Sequence, residues 1–251
     1  MTGFGKRRHR GWANEVKGAV CMSLRWVALL SVGVASAFTC IVHAGAAENV
    51  WVPTEETSCK FAGWAIDRDP SGIKVRAAPS SRAAVRGTLP PYVRGPDRYF
   101  GVELDITGSH DGWLRIDGAK DDPERSGRPP RATYSGAGWV HGSRLMFVIQ
   151  SGAGYARPDI TSRQLVNLDQ EWLTEMGKIR LVVACYKDWA LVEFELERRR
   201  NPVTNALEDL SPAERKASRG RAWFRGICWS QETTCDGVHG NLRRPSEQAP
   251  G

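Results

Sequence analysis

The sequence lacks the short motifs that identify the common hydrolases and nucleotide-binding enzymes. No G-x-S-x-G, H-E-x-x-H or P-loop segment occurs, so the residues of those reactions are missing in their usual spacing. Histidine is scarce, with five among 251 residues. His110 and Asp111 lie together in a predicted turn, and the carboxylates of residues 121–124 lie in a charged loop that is a poor scaffold for paired acids. We therefore predict that the chain is not an enzyme and uses no cofactor.

The chain also lacks a strong charge imbalance outside its first 47 residues. The formal net charge is +7, but residues 1–47 hold six basic groups and one acidic group. The remaining 204 residues hold 29 basic and 27 acidic groups, a net charge of +2. A nearly neutral body attracts a polyanion only weakly at long range, so we expect no nucleic-acid partner.

One long uncharged segment is present, and it follows the basic start. Residues 26–47 contain no formal charge and end in small residues, Ala44-Gly45-Ala46-Ala47. The order basic, apolar, small is typical of a secretory signal, which predicts a signal-peptide region at 1–47 and an exported, periplasmic or extracellular protein. Met22 is an alternative start that gives a signal of ordinary length. An uncleaved membrane anchor, and a membrane location with it, is the second interpretation, and a buried helix is the third.

Four cysteines remain beyond this segment, and export makes disulfides the first interpretation of them. They are Cys59, Cys185, Cys228 and Cys235, and four cysteines allow three pairings. We favour Cys228–Cys235 with Cys59–Cys185, while a Cys185–Cys228 bridge between neighbouring strands stays open. Zinc is disfavoured because six residues separate Cys228 from Cys235, more than in the usual metal knuckle. No metal site is predicted.

Short alternating segments separated by turn residues predict an all-β fold. Val102–Ile106 and Trp113–Ile116 alternate with period 2, and the 26 glycines and 10 tryptophans suit many short strands and turns. The exceptions are a charged loop at 117–133, a short helix beginning with the capping box at 211–214, and a disordered tail at 237–251.

The parts of the first half recur in the same order in the second half, about 80 residues later. The matched positions are Arg76 with Arg157, Leu89 with Leu168, Trp113 with Trp189, and Trp139 with Trp223. Two copies are too few for a solenoid, so each copy is expected to be a small barrel or sandwich. The pattern predicts a tandem repeat.

The first copy resembles the bacterial SH3 domains. The segments GIKVRAAPSSRAAVRGTL, DGWLRI and GAGWVHGSRL are similar to that family's strand motifs, and the second copy resembles it more loosely over residues 154–228. The resemblance implies two tandem SH3-like β-barrels at 59–148 and 150–236. It also implies a non-catalytic domain of exported or envelope proteins that binds peptide or cell-wall material or acts as a spacer.

Four aromatic residues are the candidate ligand contacts. Strand periodicity places Leu114 and Ile116 on one face of their strand and Trp113 on the other, with Trp189 in the matching position. Either both tryptophans cover the ends of the barrels, or they line a groove. The candidates are Tyr99, Trp113, Tyr186 and Trp189, with an aromatic groove near Tyr99 and Trp113.

The sequence as a whole predicts an exported SH3-like binding protein of the cell envelope. Its expected partner is a peptide, another protein or peptidoglycan. The alternative is an accessory or spacer module that regulates a cell-wall enzyme. His141, in the glycine-framed segment around Trp139, is matched by Arg225 in the second copy, so we interpret it as a polar residue on the outer face of a strand.

Overall fold

The fold is all-β, as the alternating segments predict. A computed structural model describes residues 49–232 and residue 235, all within one compact unit, 45–251. The predicted signal region and tail therefore lie outside the described residues. Within them, three short helices occur, α1 (Pro123–Ser126), α2 (Leu173–Met176) and α3 (Pro212–Ala217), and none is long and apolar enough to cross a membrane.

Nine strands belong to the first half of the described chain, which we define as residues 57–146. They are β1 (Thr57–Ala65), β2 (Ile73–Arg76), β3 (Val85–Leu89), β4 (Val93–Arg94), β5 (Tyr99–Phe100), β6 (Glu103–His110), β7 (Trp113–Lys120), β8 (Gly138–His141) and β9 (Leu145–Met146). Seven of them form one sheet in the order β3-β2-β8-β7-β6-β1-β9, and β4 pairs with β5.

Nine more strands belong to the second half, residues 148–228. They are β10 (Val148–Ile149), β11 (Ala153–Tyr155), β12 (Gln164–Asn167), β13 (Gly177–Tyr186), β14 (Trp189–Leu196), β15 (Arg198–Arg200), β16 (Leu207–Asp209), β17 (Gly220–Phe224) and β18 (Ile227–Cys228). Five form a sheet in the order β12-β11-β17-β14-β13, while β10 pairs with β18 and β15 with β16.

The same arrangement of strands occurs in both halves. A hairpin (β2–β3 or β11–β12) lies beside a late strand (β8 or β17), which lies beside a second hairpin (β6–β7 or β13–β14). Trp139 of β8 faces Arg115 in the register, and Trp223 of β17 faces Leu191. Trp113 and Trp189 therefore occupy matching places, two residues before those partners. Arg76 of β2 matches Tyr155 of β11, since each pairs with the late-strand tryptophan, so the match of Arg76 with Arg157 in the sequence is wrong by two residues.

The sheets are open, and the prediction of closed barrels is wrong in that respect. The outer strands of the larger sheet are β3 and β9, and β9 pairs only with β1. The chain then continues into β10, whose partner is β18 at the end of the second half. One continuous apolar core contains residues of both halves, including Leu114, Phe147 and Val192. The boundaries of two separate domains stay a prediction.

In strands β7 and β14 the period-2 pattern correctly predicts which face lies in the shared core and which face is turned away from it. Leu114 and Ile116 of β7, with Ala190 and Val192 of β14, lie in the shared core. Trp189 and the other outward residues of the second half form a separate apolar layer on the far side of the sheet. That layer is composed of Tyr155, Val183, Ala184, Trp189, Leu191 and Trp223.

Short-range signals also form as expected. The Ser211 side chain accepts a hydrogen bond from the Glu214 amide and the Glu214 carboxylate accepts one from the Ser211 amide, which completes the capping box of α3. The segment predicted as a charged loop at 117–133 differs in part. β7 extends into it as far as Lys120, and α1 begins at Pro123 with Asp122 as its N-cap.

Candidate functional site

A tight hairpin turn carries the first residues of the candidate site. His110 pairs with Trp113 across the β6–β7 hairpin, so Asp111 and Gly112 form a two-residue turn. Both have positive φ, 46° and 76°, as a type I′ turn requires, and Asp-Gly is a preferred sequence for it. The turn fixes the positions of His110 and Asp111 at the tip of the hairpin.

A glycine brings this turn against the second half. Gly142 begins a 3₁₀ helix after β8, and its amide donates a hydrogen bond of 2.8 Å to the Gly112 carbonyl. A Cβ atom on Gly142 would clash with the carbonyl oxygen of Val182 in β13. Only a residue without a side chain permits so close an approach of the two backbones. Gly142 therefore sets the seam between the halves.

His141 is held in place beside this seam. Its Nδ1 atom accepts a hydrogen bond from the Ser143 amide and lies 2.8 Å from the Ser143 hydroxyl, which caps the 3₁₀ helix. The Trp113 ring meets the imidazole edge to face with the ring centroids 5.4 Å apart. The histidine of the GAGWVHGSRL segment thus serves a local structural role and also presents its ring at the surface, where the sequence analysis placed it.

The segment that precedes β1 crosses both halves, and we call residues 49–56 the lead-in. The Trp51 amide donates to the Ala156 carbonyl at 2.9 Å. The Trp223 indole donates to the Trp51 carbonyl at 2.8 Å, and the two indole rings stack with their centroids 5.5 Å apart. Trp51 thereby covers the outward apolar layer of the second half.

A cleft of about 490 Å³ lies where the lead-in, the hairpin turn and β13 meet. Residues from all three segments line it, together with His141 and Arg221: Val52, Pro53, Thr54, Glu55, Ser109, His110, Asp111, Gly112, His141, Leu181, Val183, Ala184 and Arg221. Its volume falls in the ordinary range of ligand sites. Imidazoles, carboxylates and a guanidinium project from a partly apolar floor, so the cleft suits a ligand with both polar and apolar parts.

Ser109 is at the floor of the cleft and is fully engaged in hydrogen bonds. Its hydroxyl lies 2.7 Å from the Thr57 hydroxyl and accepts a hydrogen bond of 2.8 Å from the Cys185 amide. The side chain is buried, with 1 % of its surface exposed. Ser109 therefore joins the two halves and is not presented to a ligand. The Arg221 guanidinium is paired with Glu193.

The four aromatic candidates lie in three different places. Trp113 is half-buried and reaches the cleft through His141. Tyr186 is half-buried and meets Trp51 edge to face at 6.2 Å. Trp189 is 6 % exposed, under Tyr155 and the Arg225 guanidinium. Trp189 is thus on the predicted outer face but does not line an open groove, because the Tyr155 ring and the Arg225 guanidinium cover it.

Tyr99 and Trp113 do not share a groove. Tyr99 precedes β6, whereas Trp113 follows it and begins β7. The eight residues of β6 separate them, and at roughly 3.3 Å per residue the strand spans about 23 Å. Tyr99 instead stacks on Tyr92, with the ring centroids 5.4 Å apart. The predicted aromatic groove therefore divides into two unrelated aromatic pairs.

The favoured disulfide pairing is confirmed. Cys59 is bonded to Cys185, which joins the halves, and Cys228 is bonded to Cys235. The alternative Cys185–Cys228 bridge is excluded, because each sulfur has another partner. Across residues 49–232 and 235, no group of three or more histidine, cysteine or acidic side chains is arranged to hold a metal ion.

A buried carboxylate lies away from the cleft, on β14. Glu195 is 5 % exposed and is surrounded by three cations, with Arg219 at 2.6 Å, Arg180 at 3.1 Å and Lys178 at 3.3 Å. The hydrogen bond from Arg219 is the largest influence on it, and with Lys178 it lowers the pKa of Glu195 below the ordinary value of 4.5 against the opposing effect of burial. The three cations share Glu195, and Lys178 also pairs with Glu197, so the cluster joins β13, β14 and the residue before β17.

Comparison with known proteins adds no relative: no family model, no curated protein and no solved structure matches the chain. The arrangement of the cleft itself has to indicate what it does. Sequence reasoning missed the lead-in and Arg221 as parts of the site. Residues 52–55 carry no periodic pattern, and they reach the cleft only because Trp51 is fixed to the second half.

Proposed function

We propose that this protein is an exported, non-catalytic, SH3-like binding protein of the cell envelope. Its partner is a peptide, another protein or peptidoglycan. The observation that carries the proposal is the cleft at the seam, which is lined by the lead-in, the β6–β7 turn and β13. Concave sites with an apolar floor and a few fixed polar groups are the usual form of a recognition site.

The chemistry of the cleft favours a short polar segment with an apolar part. His110, Asp111 and Glu55 offer donors and acceptors at the rim, whereas Leu181 and Val183 offer apolar surface. Trp113 is half-buried beside them, and partly exposed tryptophans are frequent anchors of binding interfaces. Peptide and peptidoglycan stems both combine such groups.

The envelope location is supported by the disulfides and by the N-terminal sequence. Two disulfides occur in the described residues, and such bonds persist in oxidising compartments and are rare in the cytosol. The basic, apolar and small-residue order of residues 1–47 is typical of a secretory signal.

An accessory or spacer module for a cell-wall enzyme is the second candidate. It is favoured by the ties between the halves, which include the Cys59–Cys185 bond, the β10–β18 pair and the docking of Trp51. Halves that are crosslinked in this way would hold two partners at a fixed distance from each other. In that case the cleft is not needed for binding.

The test measures retention of the chain on purified peptidoglycan and on envelope proteins immobilised separately. The chain is produced with its leader and recovered from the periplasm, and variants Trp113→Ala and His110→Ala are compared with Trp229→Ala. Trp229 is a fitting control because it is 49 % exposed and does not line the cleft. We expect at least about tenfold weaker retention for the first two and no change for the third.

Three results contradict the proposal. Retention that survives both cleft variants places recognition elsewhere. Retention on neither material favours the spacer. Release of fragments from labelled peptidoglycan by the pure protein, lost in a cleft variant, makes it an enzyme.

A further inference from the structure

A second surface, far from the cleft, combines stacked tyrosines with unneutralised arginines. Tyr92 and Tyr99 stack with an interplanar angle of 27°. The Arg68 guanidinium lies over the Tyr99 ring at 4.0 Å from its centroid, and the Arg94 guanidinium lies 5.7 Å from the same centroid. We call these four residues the arginine–tyrosine surface.

Backbone pairing fixes the four residues relative to one another. Arg94 of β4 faces Tyr99 of β5 in the register of that hairpin. The Tyr92 amide donates a 2.6 Å hydrogen bond to the Asp67 carbonyl, which holds the neighbouring Arg68 against the hairpin. Because both guanidinium groups lie within 6 Å of one ring centroid, they are no more than about 10 Å apart.

Neither guanidinium group has a carboxylate partner within residues 49–232 and 235. Four other arginines of the first half form ion pairs, namely Arg115–Glu56, Arg125–Glu103, Arg131–Asp121 and Arg144–Asp67, whereas Arg76, Arg86 and Arg98 donate to backbone carbonyls. Arg68 and Arg94 are exposed, and no ion pair joins either to a described acid. Two adjacent like charges repel each other, and a bound anion relieves that repulsion.

The electrostatics around Tyr92 show that the positive field extends further. Burial is the largest influence and raises the pKa of the Tyr92 hydroxyl, while the charges of Arg68 and Arg98 act in the opposite direction. The Arg98 side chain also donates to the Gln231 carbonyl at 3.3 Å. Of the nearby acids, Asp67 is paired with Arg144, whereas Asp69 and Asp97 form no ion pair with a described arginine and weaken this field in part.

We propose that the arginine–tyrosine surface binds an extended acidic peptide segment with carboxylates at positions i and i+2. Alternate residues of an extended chain lie on one side, about 6.7 Å apart, and this spacing falls within the upper limit of about 10 Å on the separation of the two guanidinium groups. Each planar guanidinium donates two parallel hydrogen bonds to a carboxylate, and stacking on tyrosine holds the guanidinium in place before the ligand arrives.

A peptide fits this surface better than a long polyanion does. The unneutralised charge is local, and the body beyond residue 47 has a net charge of only +2. A nucleic acid or a sulfated polymer gains its affinity from many charges spread along its length. The proposal concerns a site outside the cleft and does not rest on the function proposed for the cleft.

The test uses fluorescence anisotropy with a labelled heptapeptide that carries the sequence Ser-Glu-Ser-Glu-Ser between glycines. Binding is measured to the full chain and to the double variant Arg68→Gln with Arg94→Gln. Two control variants are Arg115→Gln, which removes a paired arginine, and Trp113→Ala, which alters the cleft alone. A peptide with glutamine in place of glutamate controls for charge.

We expect the double variant to bind at least about fivefold more weakly and both control variants to bind as the parent does. Raising the salt concentration from about 20 mM to about 300 mM weakens binding of the acidic peptide. The double variant Arg68→Lys with Arg94→Lys keeps the charge but loses the fork, so an intermediate affinity is expected.

Four outcomes overturn the proposal. They are equal binding of the glutamine peptide, unchanged binding by the glutamine double variant, equal loss in the Arg115→Gln control, and tighter binding of double-stranded DNA, heparin or anionic vesicles through the same arginines. Loss of peptide binding in Trp113→Ala alone would place the peptide in the cleft instead. Melting curves of every variant separate loss of binding from loss of folding.

Discussion

Removing the Cys59–Cys185 disulfide is expected to destabilise the protein more than removing the Cys228–Cys235 disulfide. A crosslink restricts the unfolded chain, and the restriction grows with the length of the loop that it closes. The first bond spans 126 residues and the second spans 7. In the chain-entropy relation these lengths correspond to about 5 and about 2.5 kcal/mol.

The assay compares two double variants in guanidinium unfolding and in thermal melting. One combines Cys59→Ala and Cys185→Ala, and the other combines Cys228→Ala and Cys235→Ala. Each pair removes the same atoms, but Cys59 and Cys185 lie in the apolar core and Cys235 is only half-buried, so reduction of each disulfide in the parent chain provides the comparison without a change of side chain. A gap of about 2.5 kcal/mol corresponds to a melting temperature about 5–10 °C lower for the first pair.

Equal losses for the two pairs, or a larger loss for Cys228 with Cys235, would refute the reasoning that closing the long loop dominates. The slope of the unfolding curve provides a control. A steeper slope for the first pair indicates a more expanded unfolded chain, as removal of a long-range crosslink requires.

Three further predictions concern the seam, the buried carboxylate and the lead-in. Gly142→Ala is expected to lower the free energy of unfolding by about 1–3 kcal/mol because the new methyl group meets a backbone oxygen. The control Gly136→Ala, whose nearest neighbour is a tyrosine hydroxyl at 2.7 Å, is expected to cost less. Equal urea midpoints for the two variants would contradict this prediction. The lowered pKa of Glu195 contributes stability that is complete above pH about 4.5 and is lost as the pH falls through the folded-state pKa. Glu195→Gln removes this contribution, so the melting temperature of the variant should fall less steeply at acid pH. Trp51→Ala should cost about 1–3 kcal/mol and expose Trp223 to an aqueous quencher; unchanged quenching would show that Trp51 does not cover the layer.

Local patterns predicted the faces of the strands but not everything that covers them. The alternation in β14 correctly placed Val192 in the core and Trp189 on the opposite face. The burial of Trp189 was not predictable, because Tyr155 and Arg225, which lie over its ring, are each more than thirty residues away in the chain. Period 2 identifies the side of a sheet, but the neighbours on that side come from tertiary structure.

The same limit explains why the predicted aromatic groove near Tyr99 and Trp113 is not present. Tyr99 and Trp113 are near each other in sequence, yet β6 extends between them and separates them along its whole length. The cleft forms where three segments distant in sequence converge. Its composition could not be derived from spacing, whereas the favoured disulfide pairing was one of only three that four cysteines allow.

The halves differ on their outer faces for a reason that the register makes clear. Arg76 and Arg115 flank Trp139 in the first half, and Tyr155 and Leu191 flank Trp223 in the matching places of the second. The second set is apolar because Trp51 covers it. In the first half the lead-in provides a carboxylate and not an aromatic ring, since Glu56 pairs with Arg115, and polar residues occupy those positions.

The docking of Trp51 constrains the order in which a newly made chain can finish folding. Trp51 is synthesised early, but the indole that hydrogen-bonds its carbonyl is 172 residues further along. Until β17 has been synthesised, Trp51 lacks the tryptophan on which it packs, so it stays accessible to chaperones and proteases. A contact of such long sequence separation forms slowly. The packing around Trp51 is therefore complete only after β17 has formed.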